Sequence, residues 1–284
     1  MFPPSGTGRR RQFDDRRRAP GVRVSAAGTV GADPFGSYIL DLLKQEHIDT
    51  THVVTVPGAT STLVIVLTDQ ASGEHVFIGH YGEGPEVPYP MGLEQRIAEA
   101  DLLFVMGYTL AEQRVAPMAH RAIEQALAAR VPVYMDVGPF LGMVPPDEIR
   151  WVLARTSLLL TTEDEVPSVS EGRTGDEASH YLLAHGPATI VVKQGKAGCR
   201  VITKRESRHV PGYPVRVVDT VGAGDCFAGA FVAGQLHGLN LIDSARLANA
   251  MGAAAVQKVG AGKNAPTYDE VMAILHRAGE RLNF

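Results

Sequence analysis

Asp219-Thr220-Val221-Gly222-Ala223-Gly224-Asp225-Cys226-Phe227-Ala228-Gly229-Ala230-Phe231 frames a glycine turn with two acids and follows it with an apolar, small-residue run. Gly222 and Gly224 allow a tight turn that presents bare backbone N–H groups. The run from Cys226 onward reads as a helix, so those N–H groups lie at a helix N-terminus, where anions bind. Asp225 stands at the same end, where a carboxylate stays ionised and can act as a base. An anion hole beside a base is what transfer of a phosphoryl group to a hydroxyl requires.

Outward from this loop the chain alternates. Candidate strands are Leu102–Met106, Val133–Asp136, Leu158–Thr161, Ile190–Lys193 and Cys199–Thr203. Candidate helices are Ala111–Ala129, Asp147–Arg155, Thr174–Ala184, Gly224–His237, Ile242–Lys258 and Tyr268–Leu282. Such alternation predicts a mainly parallel sheet covered by helices on both faces. Ligands then gather at the carboxyl ends of the strands. Asp136, Glu163 to Glu165, Gly195 and the Asp219–Asp225 loop all follow strands and can converge on one cleft. Nearer the start, Val22–Ala27 reads as a strand, and Asp33 caps a helix opened by Pro34 and running to about Glu46. Between Thr50 and Val87 the chain is rich in β-branched residues and glycine. There Thr62–Thr68 and His75–Gly79 read as two strands joined by the turn Asp69–Gly73.

The 284 residues suit one large α/β domain or two small ones, and 45% hydrophobic with 20% charged residues is ordinary for a globule with a core. A formal net charge of −4 implies no affinity for nucleic acid. Two cysteines, Cys199 and Cys226, give no disulfide framework and suit a reducing cytosol. No apolar run has the length of a membrane span, and no signal peptide is expected, so the reading is cytoplasmic. The histidines form no metal-binding pattern. Gly31–Ser37 lacks the lysine of a phosphate-binding loop, and Gly260–Asn264 has a lysine at the wrong spacing.

The Asp219–Asp225 stretch, with its following helix, resembles the Asp-Thr-x-Gly-Ala-Gly-Asp signature of the ribokinase-like (PfkB) carbohydrate kinases, and the resemblance covers roughly Val22 to the C-terminus. It implies a three-layer α/β/α body with a mainly parallel sheet, and a small β-sheet lid that Thr50–Val87 matches. Gly31 to Gly36 also match a family turn, with Asp33 as a substrate-side candidate. The implied activity is ATP-dependent phosphorylation of a hydroxyl on a sugar or sugar derivative. Alternatives are a nucleoside kinase of the same family and a catalytically impaired relative that binds ligand or nucleotide as a regulator.

The resemblance assigns Asp225 as catalytic base and Gly222, Ala223 and Gly224 as the anion hole. It places Thr162, Lys193, Gly195, Thr220 and Asn249 beside the nucleotide. Glu165 would organise Mg²⁺ through water, Thr162 replacing the family's Asn. The other reading of this acidic run is a helix N-terminus. Asp219 would help to hold a monovalent cation such as K⁺, or else stabilise its turn. Gly195 also suits a hairpin turn, and Asn249 an exposed helical position. Asp136 lines the cleft where relatives carry Asp-x-Asn-x-Arg. Leu63, Ile65 and Leu67 give the lid an apolar face, so a homodimer through the lid is expected.

Residues 1–20 carry two arginine triplets, Arg9–Arg11 and Arg16–Arg18, where the family has a strand and a Gly-Gly…Asn sugar-binding segment. One choice of codons for Arg9 to Pro20, read one nucleotide on, encodes Gly-Gly-Gly-Asn-Ser-Thr-Ile-Ala-Ala-Ala-Leu. The segment is expected to be a frameshifted reading of that pattern, or a disordered basic arm. Residues 21–284 form the kinase domain.

Overall fold

The computed structural model describes residues 21–68, 75–80, 82–85, 87–139, 141–260 and 262–282. The expectations for residues 1–20 and for the turn Asp69–Gly73 lie outside the described residues. The chain divides into two compact units, one holding residues 1–93 and the other nearly all of residues 94–283.

In the first unit, β1 (Ser25–Gly31) and β2 (Asp49–Val56) pair in parallel around helix α1 (Pro34–Gln45). Asp33 caps α1: its Oδ1 accepts the Gly36 N–H at 2.7 Å, and Pro34 opens the helix where no N–H is needed. A separate antiparallel hairpin joins β3 (Leu63–Thr68) and β4 (His75–His80), with Leu63 opposite His80. The lid is therefore shorter than the expected 50–87. Its first residues belong to β2, whose partner is β1, because β-branched composition marks a strand without saying which strand it joins.

The second unit holds a six-stranded sheet in the order β10-β9-β8-β7-β6-β5. Its elements are α2 (Leu93–Ala98), β5 (Leu103–Met106), α3 (Tyr108–Ala111), α4 (Ala116–Ala128), β6 (Val133–Asp136), α5 (Pro146–Leu153), β7 (Leu158–Thr162), α6 (Val166–Val169) and α7 (Gly175–His185), then β8 (Thr189–Lys193), β9 (Gly198–Thr203), β10 (Ser207–Pro211), α8 (Ala223–Leu236), α9 (Leu241–Ala255) and α10 (Tyr268–Arg277). Strands β5 to β8 run parallel, while β9 and β10 are antiparallel to their neighbours. Leu158, Leu159 and Leu160 are all buried, as are Ile190 and Val191. Consecutive buried residues on a strand mean that both faces are covered, which is the α/β/α layering.

The expected helix Ala111–Ala129 is two helices, α3 and α4, because Pro117 fixes a fresh first turn within it. β10 was absent from the sequence reading. Its residues Ser207 to His209 are exposed and its apolar signal is one buried residue, Val210. Among the described residues β5 pairs only with β6, so it forms one edge of this sheet.

Candidate active site

The parallel strands bring their carboxyl ends to one side of the sheet. β6 ends at Asp136, β7 at Thr162 and β8 at Lys193, with Asp136 in register with Leu160 and Thr162 with Lys193. The Asp219–Asp225 loop then leads into α8.

That loop is a type II turn. The Ala223 N–H bonds the Thr220 carbonyl at 3.2 Å, and Gly222 sits at φ 75°, ψ 0°, the left-handed position such a turn demands. This closure alters the expected anion hole, because the Ala223 N–H is spent inside the turn. Among the described residues the N–H groups of Gly222, Gly224 and Asp225 make no backbone bond, and the next, Cys226, begins the helical pattern by donating to the Gly222 carbonyl at 3.0 Å. Gly222, Gly224 and Asp225 thus supply the free donors at the N-terminus of α8.

Asp219 anchors the turn from behind. Its Oδ1 accepts the Val221 N–H at 3.0 Å and its Oδ2 the Gly260 N–H at 2.8 Å. Both oxygens thus serve the turn-stabilising reading. Thr220 is exposed beside it.

Thr162 and Glu165 bond reciprocally, in the pattern of a capping box, across the turn that precedes α6. Glu165 Oε2 accepts the Thr162 N–H at 2.8 Å, and the Glu165 N–H returns to Thr162 Oγ1 at 3.3 Å. These bonds fix the Glu165 carboxylate within the field of Asp136 and Asp225. The Thr162 hydroxyl accepts this bond within the turn and keeps its O–H donor.

Lys193 Nζ donates to both oxygens of the buried Asp136, at 2.7 and 2.9 Å. Burial pushes the Asp136 carboxyl up to about 6, against the pull of Lys193. Asp225 is also raised above the ordinary carboxylate range by partial withdrawal from water, opposed by Lys193 and reinforced by Glu165. Asp136, Glu165, Lys193 and Asp225 therefore form one electrostatic cluster.

Asn249 is buried on α9, not exposed. Its Nδ2 donates to the carbonyls of Val210 and Pro211 at 3.0 and 3.1 Å, stapling α9 to β10. An amide whose donors are both used inside the fold has none left for an adenine edge. Gly195 starts the turn from β8 into antiparallel β9, the hairpin reading, and is exposed there. Asp33, in the first unit, uses its whole carboxylate locally: besides Gly36, it accepts the Ser61 N–H at 2.6 Å and the Ser61 hydroxyl at 2.9 Å. The Ser61 N–H, with that of Gly36, holds its carboxyl below the usual range.

Tyr108 was missed by sequence reasoning. A Cβ at Gly107 would sit 2.1 Å from the Val137 carbonyl oxygen, so this glycine lets the end of β5 close onto the end of β6. The approach brings Tyr108 into the field of Asp225. Desolvation first, and the Asp225 charge second, raise its phenol. A Gly-Tyr pair after a short apolar strand was the available signal.

The pfkB family carbohydrate kinase model matches residues 20–268. Ribokinase of Staphylococcus aureus is 27% identical over 249 residues, covering 85% of this chain and 79% of its own length. Arabidopsis thaliana ribokinase, solved with ribose and ATP, superposes with a TM-score of 0.75 at 22% identity, covering 89% of this chain and 82% of that one. Vibrio cholerae fructokinase, solved with fructose, ADP and calcium, superposes with a TM-score of 0.77 at 22% identity, covering 89% and 86%. The family match runs through the sheet, the Thr162–Glu165 pair and the Gly222 turn alike, and the chain belongs to the pfkB family of carbohydrate kinases.

Proposed function

We propose that this chain transfers the γ-phosphoryl group of ATP to a hydroxyl of a sugar or sugar derivative. The observation that carries the reading is the Gly222 turn, which leaves the N–H groups of Gly222 and Gly224 without a backbone partner among the described residues, at the helix end whose first turn holds Asp225. Asp225 takes the proton from the acceptor hydroxyl as that oxygen bonds the γ-phosphorus. The bond from phosphorus to the bridging oxygen breaks, and its electron pair leaves on ADP. The α8 N-terminus meets the charge on the transferring group with fixed dipoles. A raised carboxyl is a stronger base than an ordinary one, so the upward shift of Asp225 favours this role.

Among the described residues no group of three or more His, Cys, Asp or Glu side chains is placed to hold a metal directly. Mg²⁺ keeps waters and is carried largely by nucleotide phosphates. Glu165 would take one of those waters, its Oε2 being committed to Thr162. When bound, the ion neutralises phosphate charge. The monovalent-cation reading of Asp219 gains no support from its side chain, which is shared between two N–H groups.

The acceptor class is tested by product formation from Mg-ATP with pentoses, hexoses, keto-deoxy sugar acids and nucleosides. One sugar class should yield phosphorylated product equal to the ADP released. Turnover of nucleosides alone would shift the acceptor class. ATP binding without any product would favour the regulatory reading.

The hairpin β3–β4 supports a homodimer. Leu63, Ile65 and Leu67 on one face and Val64 and Val66 on the other are all exposed, more apolar surface than a lone hairpin sustains in water. Light scattering should give twice the chain mass of 30.4 kDa, and Ile65→Asp should halve it. A monomeric mass for the unaltered chain removes the proposal.

A further inference from the structure

We propose that Lys193 is a catalytic cation of the phosphoryl site, held by Asp136 at the N-terminus of α8 to meet the charge on the transferring phosphoryl group. The proposal rests on the kinase reading above and adds a residue to its chemistry.

Lys193 is the last residue of β8, at the carboxyl edge of the sheet. A Cβ built on Gly224 would lie 3.6 Å from Lys193 Nζ. The ammonium therefore stands directly against the backbone that supplies the free N–H donors.

Three carboxylates, Asp136, Glu165 and Asp225, act on one another here, and Lys193 is the cation that acts on both Asp136 and Asp225. With all four ionised the cluster carries an excess of negative charge, which repels a triphosphate. One cation with a flexible stem, aimed at the anion end of a helix, offsets that repulsion where charge develops.

The Lys193 and Asp136 side chains are only 12% and 6% exposed. A buried ion pair is weak evidence for stability, because apolar residues of similar volume serve folding as well or better. The pair spans 57 positions of sequence to join β6 and β8 across the intervening β7. A point charge held beside an anion site gives it a use that packing alone does not. Asp136 then acts as a positioning residue, fixing the ammonium without touching the substrate.

The test uses Lys193→Met, Lys193→Arg and the double variant Asp136→Leu/Lys193→Met, the last removing both charges so that neither is left buried alone. The readouts are kcat, KM for ATP, the thermal midpoint and the affinity for ADP-aluminium fluoride relative to ADP. Lys193→Met and the double variant should lose about 100-fold in kcat, as expected on removing one donor to a developing charge. ADP affinity should move by less than about threefold, because the contact strengthens mainly in the transition state. The preference for the aluminium fluoride complex should fall with kcat, and Lys193→Arg should recover at least about tenfold of the loss. A folded double variant with kcat near that of the unaltered chain would overturn the proposal and leave the pair a structural tie. If the unaltered chain phosphorylates no acceptor, the kinase reading itself fails, and that outcome is distinct from unchanged variants of an active enzyme.

Discussion

Asp225→Asn lowers kcat by about three orders of magnitude, within the range expected for loss of a general base. The amide keeps the size of the side chain but cannot accept the proton of the acceptor hydroxyl. The anion-binding donors are backbone groups of Gly222, Gly224 and residue 225 itself, so they survive the substitution. ATP affinity, measured by calorimetry, should therefore stay within about threefold of the unaltered value. Stability should not fall. The folded chain holds the Asp225 carboxyl above its ordinary range, so the folded state binds that proton more tightly than the unfolded state does. Ionisation thus opposes folding as pH rises through and above the ordinary carboxylate range, and an amide removes that opposition. The same raised carboxyl puts the acid limb of kcat/KM above the ordinary carboxylate value of about 4. Unchanged turnover in Asp225→Asn would remove the base from the mechanism.

Gly222→Val is the second large effect, and it acts through the backbone. Gly222 is the third residue of the type II turn, at φ 75°. A β-branched residue there is strained by about 1–3 kcal/mol. The strain is relieved by opening the turn, which breaks the 3.2 Å bond from the Ala223 N–H to the Thr220 carbonyl. The free N–H groups then swing away from the phosphoryl position. Loss of one such donor costs about 10²–10³ in kcat, and here the turn aims more than one. Gly222→Ala should fall between, since alanine tolerates the left-handed region better than valine. Both are read by kcat together with the thermal midpoint. A valine variant that keeps full turnover would show that the turn does not aim the donors.

The site was legible where local chemistry decides geometry. Asp33 caps α1 as an Asp-Pro pair predicts, and the glycine turn before α8 stands where its residues demand it. Even there the sequence overcounted donors, because the turn consumes the Ala223 N–H that its position offered to an anion. Long-range pairing was not legible. β2 was absorbed into the lid, since strand composition does not name a partner. Asn249 read as a nucleotide contact, or else as an exposed helical residue, because a lone polar residue among alanines says nothing of the β10 carbonyls that reach it. The Lys193–Asp136 pair joins two strand ends that only the folded sheet brings together. Tyr108 became visible only once Gly107 let β5 and β6 close at their ends.

The most direct test is a single-turnover assay with γ-labelled Mg-ATP and the preferred sugar, run on the unaltered chain and on Asp225→Asn. The account predicts that the label passes to the sugar as ADP forms, one for one, in the unaltered chain. In Asp225→Asn, which still binds ATP, transfer should fall by about three orders of magnitude. Label released as inorganic phosphate at the same rate with and without sugar, or equal transfer by both proteins, would contradict it.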